Sequence, residues 1–238
     1  MSLFITFEGL EGSGKSTQAR LLYERLQIRG YPVILTREPG GTRIGEMIRR
    51  ILVDLKHTEM APTTETLLFS AARAQLISEL IRPYLATGGI VLCDRYSDST
   101  YAYQGYGLGR DLDELHAITK AATGDLMPDL TLYLDLTAEE GLERKRLAAR
   151  VNRGEQLMTP SSPSSSNNAQ QEPAWNRLDA RDLEYHQRVA TGFQELIQRD
   201  PQRWRKIDAR LPVHEVAHLV ELEVEPLLAQ ITLLEQDS

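Results

Sequence analysis

Gly9-Leu10-Glu11-Gly12-Ser13-Gly14-Lys15-Ser16-Thr17 decides the fold. It spells G-x-x-x-x-G-K-S/T, follows the apolar run Leu3-Phe4-Ile5-Thr6-Phe7 and precedes a helical spacing. Strand, loop and helix are the context this pattern requires. Gly9, Gly12 and Gly14 let the backbone take positive φ and approach an anion closely. Successive N–H groups then point into one concavity, a nest for phosphate. The positive end of the following helix adds to it. Lys15 is expected to reach the β- and γ-phosphates of a nucleotide, and the Ser16 hydroxyl to hold Mg²⁺.

After the loop, Ala19, Leu22, Tyr23 and Leu26 make one face of an amphipathic helix, and Gly30 fits its stop. Residues 31–36 read as a second strand that runs into Arg37-Glu38-Pro39-Gly40-Gly41-Thr42, a polar loop at a strand's carboxyl end. Ligands of open α/β sheets bind at that edge. Ile44, Met47, Ile48, Ile51, Leu52 and Leu55 have helical spacing. A further helix spans 65–85, with Leu68, Ala72, Leu76 and Leu80 as core. In it Phe69 and Arg73 are i, i+4 partners that, taken alone, read as core and solvated.

Residues 90–93 are a continuous apolar strand, as in a central parallel sheet, ending at Asp94-Arg95. Downstream of this loop, Asp94 takes a Walker-B-like position that can hold Mg²⁺ directly or through water. Residues 97–109, rich in Tyr, Gln, Ser and Gly, read as a hydrogen-bonding loop rather than core. Tyr101, Tyr103, Gln104 and Tyr106 are its candidates for recognising a planar polar ligand. A helix over 112–122 and a buried strand over 130–136 follow.

Thr137-Ala138-Glu139-Glu140 has the form of a capping box. The helix it opens carries Arg144, Lys145, Arg146, Arg150 and Arg153, which read either as a solvated face or as a clamp on a transferring phosphoryl group. Residues 156–175, biased to Ser, Pro and Asn, are expected to be a mobile excursion. Helical pattern resumes over 178–199, residues 204–207 form a last strand ending at Asp208-Ala209, and 213–234 close the chain as a helix. His214-Glu215-Val216-Ala217-His218 spells the zinc-protease pattern but lacks its extended form. Val213, Val216, Leu219 and Val220 make it an ordinary amphipathic helix.

Strands alternating with helices give a doubly wound parallel α/β fold, a central sheet with helices on both faces. The chain has 238 residues, 41% of them hydrophobic, which suits one domain spanning 1–238. Lys and Arg number 27 against 34 acids, a net charge of −7, which argues against non-specific nucleic-acid binding. Cys93 is the single cysteine and lies in an apolar run, so no intrachain disulfide forms. No basic leader and no membrane-length apolar run is visible, and a soluble cytoplasmic protein is expected. No N-K-x-D guanine motif is present. A small kinase needs a second substrate site and an arginine-rich lid, and candidates for both exist.

Together these motifs resemble the thymidylate kinase family. The resemblance is carried by 7–17, Thr36-Arg37-Glu38-Pro39-Gly40-Gly41-Thr42, Asp94-Arg95-Tyr96 with Ser99, Ala102-Tyr103-Gln104-Gly105, and Leu68-Phe69-Ser70-Ala71-Ala72-Arg73-Ala74-Gln75. It implies ATP-dependent phosphorylation of dTMP to dTDP with Mg²⁺, on a P-loop fold with a mobile lid over 144–177, and a homodimer. It implies that 9–17 bind ATP, with Leu10, Ser13 and Thr17 among the loop residues, and that Asp208 and Ala209 pass the adenine. Phe69 would stack on thymine. Arg73 and Gln104 would contact the base or lie near the phosphate, with Thr100 a helper. Arg37 and Arg95 would grip the dTMP phosphate, Glu11 would lie near the sugar 3′-hydroxyl, and Tyr103 or Tyr106 would press on the 2′ face. The loop carries no arginine, so the catalytic charge would join Lys15 and Arg95 from the lid. Arg153, in Arg153-Gly154-Glu155, matches best and Arg146 next. The Ser/Pro-rich segment would be an insertion within that lid. A kinase for another small nucleotide or nucleoside, and an ATP-binding regulator without phosphotransfer, are the rival readings.

Overall fold

The computed structural model describes residues 2–152 and 175–236. Arg153 and residues 156–174 of the expected excursion lie outside them. The described chain begins β1 (Leu3–Glu8), α1 (Lys15–Ile28), β2 (Val33–Arg37), α2 (Arg43–Val53) and α3 (Pro62–Leu76). A π-helical turn, Ile77–Ile81, joins α3 to α4 (Arg82–Ala86). Then come β3 (Ile90–Asp94), α5 (Ser97–Thr100) running into a second π-helical segment (Tyr101–Gly107), α6 (Leu112–Thr123) and β4 (Leu130–Asp135). The remainder is α7 (Ala138–Asn152), α8 (Leu183–Arg199), β5 (Trp204–Asp208) and α9 (Val213–Gln236).

All strand pairs are parallel, in the order β2-β3-β1-β4-β5. The first strand is therefore central. The loop that follows it opens at the carboxyl edge, beside the ends of β3 and β4. Strand alternation sorts the core into two faces. Leu3, Ile5 and Phe7 pack with Leu22 and Leu26 of α1 and with Val216, Val220 and Val224 of α9. Phe4 faces the other way, with Leu76, Ile81, Val91, Cys93 and Tyr96. Near the edge, Tyr103, Tyr133, Tyr185, Phe193 and Trp204 form a third cluster that seats α8. On the central strand and its neighbour β4 the polar groups are paired: the Thr6 and Thr131 hydroxyls meet at 2.9 Å, and Asp129, just before β4, accepts from the Phe4 amide at 2.7 Å.

Helix starts follow their caps. Thr42 accepts from Gly45 N, Asp111 from Glu114 N and Asp182 from Tyr185 N. The capping box at 137–140 forms in both directions: Glu140 accepts from Thr137 N, and Thr137 Oγ1 accepts from Glu140 N.

The structure corrects four expectations. The segment 97–109 is helical and largely buried, not a loop, because its polar groups find partners across the fold: Tyr103 on Glu11 and Gln104 on Glu65. The helix expected from residue 178 starts at Leu183, where Asp182 caps it, and Leu183 is exposed. Val213, at the first turn of α9, is exposed. The stripe on α2 is amphipathic as spaced, yet Ile44, Met47 and Ile51 are 40%, 55% and 43% exposed and only Leu52 reaches the core.

Candidate active site

A cavity of about 450 Å³ lies at the carboxyl edge of the sheet, walled by the loop after β1, the ends of β2 and β3, α3, the segment after β3, α7 and residues 176–179. Its lining contains seven lysines and arginines (Lys15, Arg37, Arg49, Arg73, Arg95, Arg144, Lys145) against four acids (Glu11, Glu38, Asp94, Asp179). A chain of net charge −7 thus concentrates cations at one place, the arrangement that attracts polyanions.

The loop begins where β1 ends. Gly9, Gly12 and Gly14 all have positive φ. Gly12 is also fixed by packing: a Cβ there would sit 2.2 Å from the Gly141 carbonyl oxygen of α7. Gly14 ends the loop as the residue before α1, and no side chain caps that helix. The amides of its first turn are thereby left for an anion. Lys15 Nζ lies over the loop, donating to Leu10 O at 2.6 Å and Ser13 Oγ at 3.3 Å. Burial, and then the neighbouring charge of Arg95, lower its pKa to about 7. Ser16 Oγ donates to Asp94 Oδ2, joining the two oxygen groups read as the metal site. That hard-oxygen donor set fits Mg²⁺, which takes one or two protein oxygens and completes its shell with substrate phosphates and water.

Opposite the loop, Arg95 has φ +72, a left-handed conformation that costs a non-glycine residue about 1–2 kcal/mol. The surroundings hold it there. Its amide donates to Phe7 O, Nη1 reaches Gly9 O and Ser99 Oγ, and Nη2 reaches Glu11 Oε1 at 3.0 Å. Its guanidinium lies 4.9 Å above the Tyr103 ring. Glu8, at the end of β1, secures the turn: it accepts from Tyr96 N at 2.8 Å and from Ser99 Oγ at 2.6 Å. Burial, and then the charge of Asp98, raise the Glu8 pKa to about 7. Glu11 also accepts from the Tyr103 hydroxyl at 2.8 Å. Burial opposes its ionisation, but Arg95, His186 and Lys15 hold its pKa well below the carboxylate range.

Arg73 is not solvated: it is 1% exposed, with Nε 2.7 Å from Glu38 Oε2 and Nη2 on Tyr96 O. Burial works against its charge, and Glu38 holds the pKa above the ordinary arginine value all the same. Its Nη1 has no partner among the described residues, and neither do Thr100 Oγ1, Glu38 Oε1 and Asp179 Oδ1, while Glu11 Oε2 has the His186 ring Nδ1 at 3.4 Å. The four orphaned atoms belong to residues that line the cavity. Orphaned polar atoms grouped at one surface mark where a polar ligand completes the bonding.

Lys15, Ser16, Glu11, Arg37, Phe69, Arg73, Asp94, Arg95, Thr100, Tyr103 and Gln104 are thus brought to one cavity. Tyr106 is not: its ring packs against Gly192 of α8. Arg146 is exposed and stacks 5.7 Å from the Trp175 ring, while Arg144 and Lys145 of the same helix line the cavity. Asp208 and Ala209 lie at the end of β5, where Asp208 pairs with Arg210 and the Ala209 carbonyl accepts from Arg144. Glu8, Glu38, Arg49, Glu65, Asp179 and His186 carry part of the site with no sequence reading behind them, while Lys145 reads only as one of the basic cluster on its helix. Glu8 and Glu38 stand at strand ends inside quoted motifs, a signal that could have found them. Glu65 and His186 meet their partners only across the fold.

The parallel sheet, the phosphate nest opening α1, and the Ser16–Asp94 pair place the molecule in the class of P-loop nucleotide-binding folds. The model of the family described as thymidylate kinase matches residues 7–161. A thymidylate kinase of Roseiflexus castenholzii is 68% identical over 235 residues, covering 99% of this chain and 98% of the relative. One from Herpetosiphon aurantiacus is 57% identical, covering 98% and 100%. The crystal structure of thymidylate kinase from Ehrlichia chaffeensis aligns with a TM-score of 0.69 at 31% identity, covering 95% of this chain and 98% of that one. The chain belongs to the thymidylate kinase family.

Proposed function

We propose that the protein transfers the γ-phosphoryl group of ATP to dTMP, forming dTDP on the route to dTTP, with Mg²⁺ as its metal. The observation that carries this reading is one cavity joining the phosphate nest to a second cationic wall and to the Phe69–Arg73–Gln104 surface. An ATP sensor has no need of that second wall.

The chain's own groups divide the work by position. The loop amides and Lys15 hold the β- and γ-phosphates of ATP, and Asp208 and Ala209 lie at the sheet edge beyond, toward the adenine. Ser16 and Asp94 would hold Mg²⁺, whose charge, when bound, offsets that of the transferring group. Arg37 and Arg95 face the acceptor phosphate. Phe69 stacks on the base, with the free Nη1 of Arg73 and the Gln104 amide on its polar edge. Tyr103 sits against the sugar, and Glu11 Oε2, beside the His186 ring nitrogen at 3.4 Å, accepts from the 3′-hydroxyl. No general base is required, because the attacking phosphate oxygen is already ionised. Two mutually repelling substrates are neutralised and held in line, and that positioning is the main source of rate. An acceptor series with ATP and Mg²⁺ tests the reading. dTMP is expected to exceed dCMP and thymidine in kcat/KM by about 100-fold or more, as for a site that hydrogen-bonds its substrate. Equal use of the three would refute it.

The lid charge is the finer part. Arg153 keeps the role that the resemblance gives it, while Arg144 and Lys145 already line the cavity. Arg144→Ala is therefore expected to lower kcat by about 10–100-fold. Arg146→Ala, on the Trp175 stack, should change it by less than about threefold. Steady-state turnover of the two variants checks the assignment, and the reverse order contradicts it.

A homodimer fits the exposed apolar face of α2. Ile44, Met47 and Ile51, at i, i+3 and i+7, present one stripe, with exposed Leu67 on α3, which packs against α2. Sedimentation is expected to give twice the 26.9 kDa chain mass, and Met47→Glu to give the monomer. A wild-type monomer at micromolar concentration would contradict it. Action on the dTTP route fits a cytoplasmic protein. No helix among the described residues is long and apolar enough to cross a membrane.

A further inference from the structure

Glu65 touches none of the cavity yet is 1% exposed and is the hub of three side chains. Its Oε2 accepts from Arg177 Nη2 at 2.7 Å and from Arg181 Nη2 at 2.6 Å. Its Oε1 accepts from Gln104 Nε2 at 3.0 Å. Arg177 is anchored in turn, with Nε on Leu52 O at 2.8 Å, and Arg181 lies 4.4 Å over the Tyr185 ring. Arg177, at the end of the expected lid segment, and Arg181 after it fix the carboxylate in place.

A carboxylate accepts hydrogen bonds and donates none. Whatever faces Glu65 Oε1 must be a donor, so the Gln104 amide has one permitted orientation: NH₂ toward Glu65, carbonyl oxygen away from it. Gln104 is itself buried and lines the same cavity as Arg73. The cavity therefore presents both an acceptor, from Gln104, and a donor, the unpartnered Arg73 Nη1. A pyrimidine with N3–H and a 4-carbonyl complements that pair. Cytosine, with a bare N3 and a 4-amino group, opposes it at both atoms.

We propose that Glu65 is a positioning residue for base specificity: held by Arg177 and Arg181, it sets the Gln104 amide so that the site accepts an N3-protonated pyrimidine and rejects the cytosine pattern. The inference deepens the dTMP reading and rests on it.

Glu65→Gln is the test. The two guanidiniums take the carbonyl of the substituted amide, so its NH₂ turns to Gln104, which must rotate and show its own NH₂ to the base. The ratio of kcat/KM for dTMP to that for dCMP is expected to fall by about tenfold or more, mainly through a higher KM for dTMP. The KM for ATP stays within about twofold. A merely structural role would lower both acceptors together and leave the ratio unmoved. The double variant Glu65→Gln with Gln104→Glu restores an acceptor toward the base and keeps the net charge of the cluster. It should recover the dTMP preference, and it decides the matter alone should the single variant fail to fold. A folded Glu65→Gln with the wild-type ratio, or a folded double variant that prefers dCMP, overturns the proposal. A wild-type protein that does not distinguish dTMP from dCMP would instead overturn the dTMP reading beneath it.

Discussion

Lys15→Met is expected to lower kcat by about 10³-fold, the scale of losing one preorganised charge on the transferring group, with the KM for dTMP changed by less than about threefold. The split follows from geometry. Nζ lies against the loop, held by Leu10 O and Ser13 Oγ, whereas the base is proposed to lie on Phe69 and Gln104. A second readout isolates the same atom. With its pKa lowered to about 7 by burial and by Arg95, Lys15 is mostly neutral above that pH in the free protein. The polyphosphate raises the pKa again, so ATP binding takes up protons above pH 7 and progressively fewer below it. Calorimetry at about pH 8.5, in buffers of different ionisation enthalpy, should show an uptake approaching one proton per site. Lys15→Met should abolish it. Buffer-independent heats for the wild type would contradict this state of Lys15, and a variant within tenfold of wild-type kcat would contradict its role.

Arg95→Met is expected to lower kcat/KM for dTMP by about 10²–10³-fold, with the KM for ATP little changed. One side chain ties the loop to the acceptor wall, through Gly9 O, Ser99 Oγ and Glu11 Oε1. Removing it would take a charge from the proposed site of the acceptor phosphate and the principal counter-charge from Glu11. The Arg95 and Glu11 side chains are only 20% and 9% exposed, so little solvent replaces the pair. Stability should fall by about 3 kcal/mol, the lower end for breaking a buried pair, since Tyr103 still bonds Glu11. That corresponds to a Tm lower by about 6–12 °C. Arg95→Lys separates the two effects: it keeps the charge and most of the stability but loses the forked contact, and its activity should lie between. Retention of more than a tenth of wild-type kcat/KM in Arg95→Met would remove Arg95 from the acceptor site.

What the sequence makes legible is what is local. The nest at 9–17 follows from glycine conformations and the helix behind it, and Asp94 from its place at the end of an apolar strand. Both lie where they were read. Segment 97–109 misleads because its composition has no apolar helical period. Its burial depends on Glu11 and Glu65, each more than thirty residues away in sequence. Arg73 misleads in the same way: on its own helix it is an ordinary cation, and only Glu38, from the end of β2, explains a guanidinium in the interior. The α2 stripe is a correct helix reading with an unexpected destination, since spacing tells which residues share a face but not what covers it. Composition does not separate Arg144 from Arg146, and the resemblance puts Arg146 ahead. The seat of α7 against the loop, fixed by the Gly12–Gly141 approach, turns one to the cavity and the other to Trp175.

If the nest and the arginine-walled acceptor surface form one site, a phosphoryl group passes there from one nucleotide to the other. Incubating the protein with γ-³²P-labelled ATP, Mg²⁺ and dTMP tests it most directly. Label is expected in the β-phosphate of dTDP, in step with ADP formed and dependent on dTMP. Label appearing only in inorganic phosphate, or at a rate indifferent to dTMP, would contradict this transfer.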